Sequence, residues 1–128
     1  MQSSEVVYLV DPDASIVEAL ATLLSTYDIH VESYRDAETF LQNLPSLTIG
    51  ISCLIVENNL PGISGLSLIR SLKKTGVSLP FIIMTNNINA NLLHQANMLG
   101  AVDVVKKPLV DSLLIPHLAK LFGTNDES

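Results

Sequence analysis

The sequence predicts an α/β domain of the doubly wound type: five parallel strands in one sheet with helices on both faces. Short β-branched or aliphatic runs recur at Val6 to Val10, Ile29 to Ser33, Cys53 to Val56, Phe81 to Met84 and Val102 to Val105. A helical pattern separates each run from the next and another follows the last. The runs are nearly unbroken in apolar character, as strands buried on both faces are.

The elements follow in order. Val6 to Val10 ends at Asp11-Pro12-Asp13, where Asp13 or Ser15 can cap a helix with apolar positions at Ile16, Leu20, Leu23, Leu24 and Tyr27. After the second strand, Asp36 precedes a short helical pattern from Ala37 to Leu44 that Pro45 ends. The third strand stops at Glu57, and a loop with Pro61 and Gly65 leads to a helix over Leu66, Leu68, Ile69 and Leu72 with Ser64 as its cap. That helix ends near Gly76, a residue suited to a left-handed C-terminal position. The fourth strand gives way at Thr85 to an asparagine-rich stretch, where Asn89 or Asn91 caps Leu92 to Leu99 before Gly100. The fifth strand reaches Lys106-Lys107-Pro108. Asp111 or Ser112 then caps a last helical pattern, Leu113 to Phe122, which contains Pro116. Right-handed crossovers leave few topologies for such an alternation. The flavodoxin-like order 2-1-3-4-5, in three α/β/α layers, is the expected one.

Composition bounds the function. A chain of 128 residues that is 48% hydrophobic and 16% charged suits one domain with a core of its own. With no Trp and only 5% aromatics, the interior should be aliphatic. Net charge is −6 and the longest basic runs are Lys73-Lys74 and Lys106-Lys107, so no electrostatic footprint for nucleic acid is present. The two long stretches free of charge, 39–56 and 75–102, are broken by Pro, Gly, Asn or Gln and do not read as membrane spans. The start of the chain lacks a signal peptide's basic region and apolar run, and a cytoplasmic protein is expected. Cys53 reads as a small buried hydrophobe. His30, His94 and His117 have no metal-ligand spacing, and no P-loop, nucleophile elbow or glycine-rich dinucleotide turn occurs.

In a doubly wound sheet the carboxyl ends of the strands open onto one crevice. Asp11, Asp13, Glu57, Thr85 and Lys107 all stand directly after strands, so a shared pocket is expected. This constellation, acidic turn, carboxylate, threonine and Lys-Pro step, resembles the phosphoacceptor pocket of the receiver domains of two-component response regulators, over residues 5 to 122. The resemblance implies a receiver domain over residues 1–122, with 123–128 a polar tail or the start of a linker. It implies Glu57 at the phosphoacceptor position, where the family has aspartate. It also implies Thr85 as the switch hydroxyl, Lys107 as the phosphate-binding lysine, and a turn at Lys107-Pro108 of the kind that holds a cis peptide bond. Magnesium in such a site would be held by Asp11, Asp13, Glu57 and Asn59, the last through its backbone carbonyl.

Four departures from the family point one way. Pro12 occupies the place of a direct metal ligand, Glu57 is one methylene too long for aspartate chemistry, Asn86 replaces a small residue, and Val104 replaces the aromatic that flips on activation. Magnesium needs near-ideal octahedral geometry, so binding is expected to be weak at most. An ion pair between Glu57 and Lys107 is the physical alternative to phosphate. Tyr34 to Leu44 resembles receivers that precede LuxR-type helix-turn-helix output domains. The expected function is an atypical, pseudo-receiver role in two-component signalling, independent of phosphorylation and exerted through protein contacts rather than as an enzyme. Expected partners are a sensor kinase, an output domain or a second copy through the last strand and helices, with no nucleic acid or membrane bound by this domain. Two alternatives stay open: a working phosphoacceptor using Glu57 or a neighbouring acid with magnesium, and an unrelated flavodoxin-like enzyme or cofactor binder.

Overall fold

The computed structural model describes residues 5–43 and 52–107. Within them the chain runs β1 (Glu5–Val10), α1 (Ala14–Ser25), β2 (Ile29–Tyr34), α2 (Ala37–Gln42), β3 (Ser52–Glu57), α3 (Gly65–Lys74), β4 (Phe81–Thr85), α4 (Ala90–Met98) and β5 (Asp103–Lys106). The strands form one parallel sheet in the order β2-β1-β3-β4-β5, the order expected from the sequence. The last helical pattern with Pro116, its caps, the Lys107-Pro108 peptide and the 123–128 tail lie outside the described residues.

Alternation along the strands sorts side chains onto two core faces. Val6, Tyr8, Val10, Leu54, Val56, Phe81 and Ile83 meet α2, α3 and α4 on one face. On the other, Val7, Leu9, Cys53, Ile55, Ile82 and Met84 meet Leu20 and Leu24 of α1. The helix-sheet-helix layering follows from these two clusters. Central β4 is buried throughout, whereas edge strand β2 buries only Ile29 and leaves His30, Glu32 and Ser33 exposed. Burial pushes the Cys53 thiol up to about 12, in keeping with an inert core residue. Among the described residues no helix is long and apolar enough to cross a membrane.

Two expectations need correction. The interior is not purely aliphatic: Tyr8 and Phe40 are fully buried, and Tyr34 completes an aromatic trio with centroid separations of 5.9 and 5.2 Å to Phe40. Few aromatics in the composition did not mean few in the core, because three of them cluster where α2 crosses β1 and β2. Tyr27 does not extend the apolar stripe of α1, and it is 53% exposed. The helix closes at Ser25 and the chain turns at Asp28, which takes φ 61°.

The other helix ends are set by the expected residues. Asp13, Asp36, Ser64 and Asn89 each accept a hydrogen bond from a first-turn amide. At Asp36 that bond, donated by the backbone of Thr39, holds the carboxyl below its ordinary range.

Candidate functional site

The sheet order brings the carboxyl ends of β1 and β3 side by side, with β4 and β5 next in line. Asp11 directly follows β1 and Glu57 closes β3, and both are buried, at 2% and 5% exposure. Lys107 directly follows β5 and reaches back across this edge. Its Nζ lies 2.8 Å from Asp11 Oδ2 and 2.6 Å from Glu57 Oε1. One ammonium thus stands between two buried carboxylates.

Each acid is also held by the backbone. The Asp13 amide donates to Asp11 Oδ1 at 2.8 Å, and the Asn59 amide donates to Glu57 Oε2 at 2.7 Å. Asp11 Oδ2 is fully buried, and no aligned hydrogen bond reaches it in addition to the ammonium. Burial works to lower the pKa of Lys107, but its contacts with Asp11 and then Glu57, and their charges, outweigh this and leave it raised.

The loop after β3 is fixed by close approach. Asn58 Oδ1 accepts from the Leu66 amide at 3.1 Å, and the Asn58 carbonyl accepts from the Gly65 amide at 3.0 Å. A Cβ on Gly65 would lie 2.7 Å from the Glu57 carbonyl oxygen, so the start of α3 can pack under the site only without a side chain there.

Thr85 ends β4, is 1% exposed, and its carbonyl accepts the Lys107 amide at 2.9 Å. The Thr85 hydroxyl is the acceptor for the Asn87 amide at 3.4 Å. Asp13 stands apart from the cluster in function: its Oδ1 accepts from Ser15 and Ile16 at 2.9 and 3.4 Å, capping α1 from an exposed position. Asn59 contributes its amide to Glu57, with an exposed side chain. Val104 is half-buried and packs against the face shared by α2, α3 and α4. His30 pairs with Glu32 at 2.9 Å on the exposed edge of β2.

Among the described residues no group of three or more His, Cys, Asp or Glu side chains is placed to hold a metal ion. The donor set explains this. Pro12 offers no side-chain oxygen, Asp13 is turned to its helix, and the ammonium of Lys107 occupies the space between Asp11 and Glu57 where a cation would gather their charge. These residues as arranged do not fit a resident magnesium ion.

Two features were not anticipated from the sequence. Asp11 is a second partner of Lys107, for which the signal was an acid at a strand end facing the switch between β1 and β3. Asn58 positions the start of α3, for which a short polar side chain just beyond a strand was the available clue.

An open parallel sheet with a polar cluster at its carboxyl edge defines a class of doubly wound proteins with a strand-end site. The family model for the response regulator receiver domain matches residues 7–119, and the chain belongs to that family. It is 34% identical over 108 residues to the transcriptional regulatory protein FixJ of Bradyrhizobium diazoefficiens, covering 84% of this chain and 52% of FixJ. Over 112 residues it is 31% identical to the response regulator protein TodT of Pseudomonas putida, covering 88% and 48% of the two chains. Full-length FixJ from B. japonicum superposes with a TM-score of 0.83 at 30% identity, covering 96% of this chain and 60% of that structure. The chain spans about half the length of the curated relatives it matches.

Proposed function

We propose that this domain is a pseudo-receiver, signalling through protein contacts without phosphorylation. One observation carries the reading: both oxygens of Glu57, the residue at the phosphoacceptor position, are engaged, one by Lys107 Nζ at 2.6 Å and the other by the Asn59 amide at 2.7 Å. In-line phosphoryl transfer needs a free, well-placed acceptor oxygen and a metal to gather charge on the moving group. A carboxylate already satisfied by an ammonium and an amide, next to Pro12 in place of a metal ligand, provides neither. The Lys107 pair fills the role that a phosphoryl group has in the family and holds the site in one state. Magnesium binding is accordingly weak. Thr85 and Val104 are then structural, and Asp13 acts as a helix cap.

Receiver domains of transcriptional regulators work between sensor kinases and output domains. FixJ is a transcriptional regulatory protein and TodT a response regulator protein, each about twice as long as this chain, which supports a part in transcription regulation and a cytoplasmic setting. Contacts to that output, to a kinase or to a second copy are assigned to the last strand and the helices beside it. This domain does not itself bind nucleic acid or membrane.

Incubation with acetyl phosphate and magnesium, followed by intact mass spectrometry, tests the reading. The mass should stay unchanged. Stoichiometric addition of one phosphate would overturn the proposal and install a working phosphoacceptor in its place.

A further inference from the structure

Beside the Lys107 cluster, between the first turns of α1 and the carboxyl end of β2, a cleft of about 370 Å³ opens to solvent. That volume falls within the range of small-ligand sites, about 300–1,000 Å³. Pro12, Ala14 and Val17 form an aliphatic wall. Asp11 lies at its buried end, and Glu18 and Arg35 are exposed at its mouth.

The charges in this cleft are unusual for their surroundings. Arg35 is the one Lys or Arg among residues 1–50, and it lines this cleft. Neither Arg35 nor Glu18 forms an ion pair among the described residues. A simple anion would meet two carboxylates there, and a simple cation would meet the guanidinium. A ligand carrying both charges matches Arg35 and Glu18, with Asp11 already paired to Lys107 behind them.

We propose that the cleft binds a small zwitterion, an ammonium and a carboxylate on a short aliphatic frame, with Arg35 taking the carboxylate and Glu18, backed by Asp11, taking the ammonium. Arg suits the first task because its planar fork matches a carboxylate bidentately. Pro12 and Val17 take the aliphatic frame. Asp11 belongs to both sites: it lines the cleft and holds Lys107 through its buried Oδ2, so a ligand ammonium beside its carboxylate weakens the attraction that Lys107 feels. Occupancy of the cleft is thereby communicated to the Glu57–Lys107 pair. This coupling rests on the pseudo-receiver reading and gives it an input other than phosphate.

The test is an amide chemical-shift titration of the ¹⁵N-labelled full chain with glycine, β-alanine and γ-aminobutyrate, which step the two charges apart. Butylamine and butyrate are the single-charge controls. At least one zwitterion should give saturable shifts at Val17, Glu18, Tyr34 and Arg35, with a Kd of about 1 mM or tighter and the controls at least about tenfold weaker. Arg35→Ala and Glu18→Ala, both surface changes whose spectra report folding directly, should each weaken binding about tenfold. Arg35→Glu should turn the preference toward 1,4-diaminobutane. No saturable shift with any of the three zwitterions up to about 10 mM, equal binding of a control, or affinity unchanged in the variants would overturn the site. Shifts at the cleft with none at the Lys107 amide would overturn the coupling. The acetyl phosphate experiment reads Glu57 and this titration reads the cleft, so failure of the one is distinguishable from failure of the other.

Discussion

The turn after β1 and the turn after β3 present the same arrangement through different residues. In each, a buried carboxylate accepts the amide two residues ahead with one oxygen and meets Lys107 Nζ with the other. Asp11 sits in a tight turn that runs straight into the Asp13 cap of α1, and its Oδ2 stands 2.8 Å from the ammonium. Glu57 has one more methylene, and its Oε1 approaches to 2.6 Å above a longer loop closed by Asn58 and Gly65. The comparison shows that side-chain length at a strand end decides what the oxygen can reach. At β1 the short acid keeps its ion-paired oxygen fully buried at the inner end of a cleft, and at β3 the long acid spans the gap and closes the site.

The largest effect that would break this parallel is loss of the shared cation. Lys107→Met strands two buried carboxylates, and stability measured by denaturant unfolding should fall by about 3–5 kcal/mol. A loss no greater than that of a surface substitution would mean that the cation does not hold the turns together.

The two turns are separated next by double-mutant cycles. Glu57→Gln and Asp11→Asn, each combined with Lys107→Met, should show coupling of about 0.5–3 kcal/mol, with the Glu57 cycle the larger. Equal couplings would erase the distinction drawn from the extra methylene, and purely additive midpoints would dissolve both pairs.

The β3 turn alone depends on close backbone approach, so Gly65→Ala should cost about 1–3 kcal/mol by displacing the Glu57 carbonyl or the start of α3. A neutral result in the same unfolding assay would show that the loop relaxes freely.

The smallest effect is alkaline. A lysine whose folded pKa is raised contributes stability that is complete below the unfolded value, about 10.4, and lost as pH climbs through the folded value. Above the ordinary lysine range the gap in thermal stability between the wild type and Lys107→Met should therefore narrow. A constant gap between the two across that range would contradict the raised pKa.

Much of this was legible in the sequence because it depends on local chemistry. Asp36 and Ser64 could be chosen as caps outright, since a short polar acceptor before an apolar stripe has few other uses. Sheet order followed from strand count, apolar continuity and crossover handedness, and the strand-end positions of Asp11, Glu57, Thr85 and Lys107 followed from sheet order. What was not legible depends on three-dimensional reach. Nothing in the spacing of Asp11 and Asp13 says which carboxylate turns inward, because that is decided by the backbone amide at Asp13 and the ammonium arriving from β5. The burial of Tyr8 against Phe40 and the cleft around Arg35 arise from elements far apart in the chain, and composition averages them away.

The position of Lys107 has a consequence for the order of events in folding. It follows β5, the last strand, and its partner Asp11 follows β1, the first, with β3 and β4 intervening in the sheet. The bridge cannot close until every intervening strand is paired, which makes it among the most non-local contacts in the described chain. A contact that closes this late should be absent from the folding transition state, so Lys107→Met should speed unfolding and leave the folding rate nearly unchanged in a chevron measurement. Lys107 is therefore a latch: it governs how long the assembled sheet survives, and has little influence on how fast the sheet is built.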